Sequence, residues 1–457
     1  MSRAFYRTLA AILLVAIAGG TVIWWMQRRT PDEDLYIPRE AKVTPEVEML
    51  QAYLRIDTSN PPGNETEGAL FLIEELRRRG VEAELIEPVP GRGSVYARIP
   101  GRRPGEGLML LSHIDVVPAD PSEWRNPPFA GEIELNQIWG RGALDMKSIT
   151  IAHVIAFAKL HAAAPLERDL VLLVVADEET GGTLGMEWIT DNRPDVLEGI
   201  RYAVNEGGIT ETVRNEVKYF GVEIGSKPTT FVRLASDSRE ILRRARIDLE
   251  PFFEADLPER LLPEVTEYFR RVAPYRLRGG DLLADIDGAI ASGRFWLLPK
   301  NYRDLTANTV WAAGVTERED GRFEMDVALR NLPDQDAEDR LEWFRGQIAD
   351  GVDFEVITQM PATPLSSTAT PFFDLLRETV RDHYGDVAVG PLVMPEIATD
   401  SRFLRLREID AYGFWPYPVD YFQTLGIHGV DERLRIDWFL EGIDLTCDLV
   451  ESWAAPR

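Results

Sequence analysis

Leu108-Met109-Leu110-Leu111-Ser112-His113-Ile114-Asp115 is the stretch on which the fold turns. Four apolar residues stop abruptly at a serine, a histidine and, two positions on, an aspartate. An apolar run this short with polar ends reads as a buried strand. The carboxyl ends of such strands are where open α/β sheets hold their ligands. Residues two apart in an extended chain point the same way, so His113 and Asp115 can face one site. A carboxylate behind a metal-binding imidazole fixes its tautomer and raises its basicity. Taken alone, the pair serves equally well as a helix cap or a turn.

Further along, other apolar runs also end in acids. Leu172-Leu-Val-Val-Ala-Asp177-Glu178-Glu179 ends in three carboxylates, and Tyr202-Ala-Val-Asn-Glu206-Gly-Gly in one. Gly140-Arg-Gly-Ala-Leu-Asp145-Met-Lys-Ser places Asp145 at the entrance of a helix, and Leu425-Gly-Ile-His428-Gly429 sets a histidine in a glycine-flanked loop. Helical spacing over Pro45 to Arg55, Glu65 to Arg79 and Met146 to Ala163 alternates with strand-like runs at Glu82 to Ile86, Ser94 to Ile99, Asp169 to Ala176 and Tyr202 to Val204. That alternation predicts a sheet with helices on both faces. Near Val217 the pattern changes to alternating runs, Thr229 to Leu234 and Phe323 to Leu329, separated by charged helical segments such as Ala337 to Ile348. From Ala362 the α/β pattern resumes, with an amphipathic helix over Pro371 to His383. The fold class is therefore α/β: a split main domain, residues 45–216 and 361–457, with a mixed sheet flanked by helices, and an inserted smaller α+β lid, residues 217–360.

The chain has 457 residues and 45% apolar content, enough for two or three domains with real cores. With 50 basic and 76 acidic residues its net charge is −26, which repels phosphate backbones and excludes nucleic acid as a partner. Its one cysteine, Cys447, can form neither an internal disulfide nor a cysteine-type zinc site and reads as a core residue. At the N-terminus, Thr8 to Gln27 is an uncharged stretch of 20 residues, about 30 Å as a helix and so the thickness of a bilayer core. Trp24 and Trp25 fall where an interfacial aromatic belt would lie. A cleaved signal peptide ending at Ala16-Ile-Ala18 is the rival, but the apolar Thr21 to Met26 that follows favours an uncleaved anchor. Residues 1–29 are thus expected to be a transmembrane helix, residues 30–44 a linker, and the body to be held at the membrane on the periplasmic or extracytoplasmic side.

Like charges gathered at converging strand ends are costly unless a cation sits among them. Histidine with aspartate and glutamate, and no cysteine, suits zinc, or manganese or cobalt in a similar site. Five such ligands with a bridging carboxylate can hold two ions roughly 3.5–4 Å apart. Glu178 and Glu179 are adjacent and point apart in an extended backbone, so one can bind metal while the other faces the substrate water. A phosphate-loop reading of Gly140 to Ser148 fails because the glycine before Lys147 is missing. His153 and His161, on the helix after Asp145, read as core or surface residues, and His383, near a helix end, as solvated.

The motifs resemble the M20 family of zinc metallopeptidases, with its carboxypeptidases, aminoacylases and N-acyl amino acid hydrolases. The matching stretches are Ser112-His113-Ile-Asp115-Val-Val-Pro, Trp124 with Pro127-Pro-Phe129, Trp139 to Lys147, Asp177-Glu178-Glu179-Thr-Gly-Gly, Asn205-Glu206-Gly-Gly, Thr399-Asp400-Ser401-Arg402 and Ile427-His428-Gly429. The vacuolar and secreted carboxypeptidase branch, which often begins with a hydrophobic anchor, is the nearest in pattern. The resemblance implies a hydrolase of amide bonds that releases a C-terminal amino acid from a peptide or N-acyl amino acid. It implies two zinc ions held by His113, Asp145, Glu179, Glu206 and His428, with Asp145 bridging. Glu178 would be the general base, Asp115 would orient His113, and Arg402 would bind the substrate carboxylate with Arg330 as a lid arginine. It also implies that the lid can form a homodimer.

The lid departs from that family pattern. Members carry an early lid histidine that stabilises the oxyanion, whereas here no histidine lies between His161 and His383. An Asn-Val-Ile-Pro stretch upstream of the lid arginine is replaced by Thr316-Glu317-Arg318-Glu319. Losing one oxyanion donor costs about 10²–10³ in rate. The second reading is therefore a membrane-tethered protein that keeps its metals for binding and has weak or lost catalysis.

Overall fold

Leu108 and Leu110 point into one core, and Met109 and Leu111 into another. The neighbouring strand does the same, with Leu170, Leu172 and Val174 on one side and Val171, Leu173 and Val175 on the other. A strand covered on both faces must be apolar at every position, which is why these runs do not alternate in sequence. The arrangement comes from a computed structural model that describes residues 41–213, 216–253, 261–276, 278–395, 398–419 and 426–455. The expected anchor, residues 1–29, and residues 30–40 of the linker lie outside the described residues. Among the described residues no helix is long and apolar enough to cross a membrane.

Among the described residues the main sheet has nine strands. Its order runs Glu84–Ile86, Ser94–Ile99, Leu166–Val175, Gly101–His113, Ile200–Asn205, Asp410–Gly413, Glu216–Ser226 and Ala388–Met394, with Ile209–Val213 beside Glu216–Ser226. The centre is parallel, the Glu84–Ile86 and Ser94–Ile99 flank and the join of Asp410–Gly413 to Glu216–Ser226 are antiparallel, and the edge strand Ala388–Met394 is parallel to its neighbour, so the sheet is mixed. Helices Pro45–Leu54, Glu65–Arg78, Lys147–Ala163, Pro371–Tyr384 and Ile436–Ala454 cover one face, and Met186–Asn192 and Ser401–Arg405 the other. Cys447 is buried in the first of these cores.

The lid is a five-stranded antiparallel sheet in the order Thr309–Ala312, Phe323–Arg330, Thr229–Ser236, Asp353–Gln359, with Thr316–Glu317 at its side. Helices Arg239–Leu249 and Ala337–Arg345 seal one face over Val232, Leu234, Met325 and Val327. The expected boundary at residue 217 falls inside Glu216–Ser226, which pairs along its length with Ala388–Met394 in the main sheet, so the body runs on to Ser226. Nor does all of the following insert build the lid. Val265, Phe269, Leu283, Phe295 and Tyr302 join the main core. His383 also differs from expectation. Its Nδ1 lies 2.6 Å from Glu441 and its Nε2 3.1 Å from Asp448, so it is ion-paired rather than merely solvated. His153 is a buried core residue, and burial lowers its imidazole to about 3.

Candidate active site

Three parallel strands end side by side and deliver the residues at their ends to one place: His113, the Asp177–Glu179 turn and Glu206. Asp145 arrives at the start of helix Lys147–Ala163, and His428 from the turn before the last strand. His113 Nε2 lies 3.1 Å from Asp145 Oδ1 and 3.5 Å from Glu206 Oε1. His428 Nε2 lies 3.2 Å from Asp145 Oδ2 and 3.0 Å from Glu179 Oε2. The two oxygens of Asp145 thus face two separate histidine–glutamate pairs, the disposition of a bridging carboxylate. Ligand atoms of His113, Asp145 and Glu179 all fall within 4.8 Å of one another, as do those of His113, Glu178 and Glu206. Glu178 therefore stands at the same cluster.

The supports are as specific as the cluster. His113 Nδ1 donates to the Asp115 carbonyl at 2.9 Å, while the Asp115 carboxylate is 3.6 Å away. The side chain of Asp115 instead accepts the backbone N–H of Glu178 at 3.2 Å and of Glu179 at 3.1 Å. It orients the acidic turn more directly than it orients the imidazole. Two residues here had no role in the sequence reading. Asn60 donates to Asp115 at 2.9 Å and to Thr180 at 2.9 Å, from the loop Asn60-Pro-Pro-Gly-Asn64 between helices Pro45–Leu54 and Glu65–Arg78. Asp177, at φ 73°, accepts from Thr180, Thr183 and the Leu184 N–H, and pairs with Arg92. An aspartate tolerates this left-handed conformation because its short side chain bonds locally.

Four carboxylates and two imidazoles crowd one pocket, His113 fully buried and His428 half-exposed. Burial, then the Asp145 charge, raises Glu206 to about 8. Burial and the Glu206 charge hold Glu178 well above the usual carboxylate range, and burial with the Asp145 charge raises Glu179. Burial works against Asp145 and His113 being charged. Bonds from both histidines nevertheless hold Asp145 well below its ordinary value, and Glu206, Asp115 and Asp145 raise His113. His428 is raised to about 11, burial being outweighed by Asp145 and Glu179. Imidazole nitrogens and carboxylate oxygens, without thiolates, are a donor set for zinc, manganese or cobalt. Two divalent ions would match the four carboxylates in charge.

A cavity of about 610 Å³ opens from this cluster toward the lid. The body contributes Pro361, Met394, Arg402, Phe403 and Trp415, and the lid contributes Phe231, Arg233, Asp326 and Ile357 to Met360. Three of the Arg402 donors hold the carbonyls of Gly181 at 2.7 Å, Thr399 at 3.0 Å and Ala398 at 3.3 Å, and its guanidinium stacks on Phe403. Arg330 ends strand Phe323–Arg330 and is not among the described residues lining the cavity. The lid cation that does line it is Arg233, bonded to Asp326 at 2.8 and 3.1 Å. No histidine or asparagine is among the described lid residues there. Strand Thr229–Ser236 passes through the Ser238 cap directly into helix Arg239–Leu249, so the segment that would carry the lid histidine is not present.

Comparison with known proteins places these residues in a wider group. A family model described as Peptidase family M20/M25/M40 matches residues 109–452. Aminoacylase-1 of Sus scrofa is 28% identical over 420 residues, covering 90% of this chain and 96% of its own. Probable carboxypeptidase S-like 2 of Dictyostelium discoideum is 26% identical, over 76% of this chain and 71% of its own. Among solved structures, an M20 family metallo-carboxypeptidase from Sulfolobus solfataricus shares the fold with a TM-score of 0.68 at 21% identity, over 90% of this chain and 99% of that one.

Proposed function

The chain belongs to peptidase family M20/M25/M40 and is a hydrolase, and from that premise we propose that it cleaves amide bonds with two divalent metal ions, releasing a C-terminal amino acid from a peptide or an N-acyl amino acid. The observation that carries this reading is Asp145, whose two oxygens face His113 and His428 respectively, with Glu178 at the same cluster. His113, Glu206 and Asp145 would hold one ion, and His428, Glu179 and Asp145 the other. When bound, the ions polarise the scissile carbonyl and lower the pKa of the attacking water towards about 7. Glu178 takes the proton of that water as its oxygen bonds to the carbonyl carbon, then hands it to the amine nitrogen as the C–N bond breaks. Asp115 and Asn60 hold the turn that presents Glu178.

Arg402 supplies a cation for the free carboxylate of the substrate, its guanidinium already fixed by three carbonyls. Arg402→Lys keeps the charge but loses the fork that matches a carboxylate in two bonds. It is expected to raise KM by about 10- to 100-fold, the effect of losing one charge-assisted bond of about 1.5–3 kcal/mol. An unchanged KM in steady-state kinetics would remove Arg402 from carboxylate recognition.

The metal-retaining binding protein remains the second reading because no lid histidine lines the cavity. A panel of dipeptides and N-acyl amino acids, assayed with added zinc, manganese or cobalt, separates the two. Robust turnover of any member is expected and disposes of a binding-only role. Stoichiometric metal with no turnover across the panel favours binding, and a chain that binds no divalent metal sinks both.

A further inference from the structure

We propose that Glu432, clasped by Arg141, is a positioning residue that fixes the Asp145 carboxylate and the His428 turn relative to each other. The proposal rests on reading Asp145 and His428 as metal ligands. Glu432 follows His428 by four positions and is 1% exposed. A carboxylate this buried needs donors on both oxygens. Its Oε1 accepts the backbone N–H of Leu144 at 2.7 Å and of Asp145 at 3.0 Å. Its Oε2 accepts Arg141 Nη1 at 2.7 Å and the N–H of Gly142 at 3.0 Å. Arg141 Nη2 then donates to the carbonyl of Gly429, the residue after His428, at 2.8 Å. The indole of Trp124 supports the guanidinium, at 5.1 Å.

One carboxylate therefore holds the amide of the bridging residue and, through one guanidinium, the turn of the second histidine. The two loops it joins lie nearly 300 residues apart in sequence. They meet because Arg433–Arg435 pairs with Gln137–Trp139 in a small sheet, and the Gly140 N–H reaches the Glu432 carbonyl at 3.0 Å. Neither Glu432 nor Arg141 lines the cavity, so both act through Asp145 and His428 rather than on substrate. Stability alone does not call for such a pair, since a buried ion pair is often replaceable by apolar residues without loss. Ligand geometry does call for it, because a site must be held to within about 0.5 Å.

The test uses cobalt, whose visible absorption reports ligand geometry, on the full chain. Stoichiometry and affinity are measured by competition with a chelating dye. Glu432→Gln keeps the shape but turns an amide NH2 toward N–H donors. It is expected to bind cobalt about 10- to 100-fold more weakly, as loss of an outer partner does, with an altered absorption band. Its kcat should fall with little change in KM and recover in part at excess cobalt. A merely structural role would lower thermal stability and leave the affinity and band of the folded protein untouched. If Glu432→Gln does not fold, Arg141→Lys decides on the same criteria, because lysine keeps the charge but loses the guanidinium fork whose two nitrogens hold Glu432 and Gly429 separately. Wild-type affinity and band in the folded variant overturn the clasp alone. A wild-type chain that takes up no cobalt overturns the ligand reading, and the clasp with it.

Discussion

Glu178→Gln is expected to keep both metal ions and to lose about 10²–10⁴ of turnover, the usual contribution of a general base. That loss corresponds to about 3–5 kcal/mol of transition-state stabilisation. Glutamine preserves the length and volume of the side chain, so the turn held by Asp115 and Asn60 is undisturbed. What disappears is the only function the variant cannot imitate, taking a proton from water and returning it to the amine. Because a ligand atom of Glu178 lies within 4.8 Å of those of His113 and Glu206, it could instead be a ligand, and metal content separates the two roles. Loss of one ion together with turnover would make Glu178 a ligand. Retention of both ions with kcat within tenfold of wild type would remove it from the chemistry. KM should move little, since the carboxylate-binding end of the cavity is carried by other residues.

The parts of this site that were legible in the sequence are those whose signal is local. Leu108 to His113 and Leu172 to Glu179 announce themselves because a doubly covered strand is apolar throughout and then stops at a polar end. The apolar run gave no hint that the strand ending at His113 begins at Gly101, since that stretch is polar and pairs with Leu166 to Arg168 and, through Gly107, with Ile200 at the rim of the sheet. The lid boundary failed for a different reason. Glu216–Ser226 is buried over its second half, yet it contains Gly221, Gly225 and Glu223. Glu223 is tolerated there because Arg405, 182 positions on, pairs with it at 2.7 Å. A buried ion pair with a distant partner makes a core strand look like a surface one. The same blindness hid Glu432 and misplaced His383, whose partners Glu441 and Asp448 lie 58 and 65 residues away. Helix Pro263–Val272 is amphipathic in sequence, but its period cannot say whether its apolar face meets the lid or the body, and it meets the body through Val265 and Phe269. The missing lid histidine was legible from sequence alone, while the presence of Arg233 in the cavity in place of Arg330 was not.

Asp145→Asn is expected to have the broadest effect of any single change, removing tight binding of both metals and, with it, turnover. Each of the other proposed ligands faces one side of the cluster: His113 and Glu206 on one, His428 and Glu179 on the other. Asp145 alone faces both, through Oδ1 at 3.1 Å and Oδ2 at 3.2 Å. Asparagine offers one neutral oxygen and a nitrogen that donates rather than ligates, so at most one ion keeps a partner and neither keeps the charge. Loss of an outer partner already costs about 10–100-fold in affinity, and loss of the shared ligand should exceed that for both ions. Titration of zinc or cobalt, with elemental analysis of the purified protein, reads the result. Glu206→Gln and Glu179→Gln should each weaken one ion and leave the other, so their double variant should resemble Asp145→Asn rather than add to it. Two tightly bound ions in Asp145→Asn, or single losses as deep in Glu206→Gln and Glu179→Gln as in Asp145→Asn, would show that the two sides of the cluster do not meet at this residue.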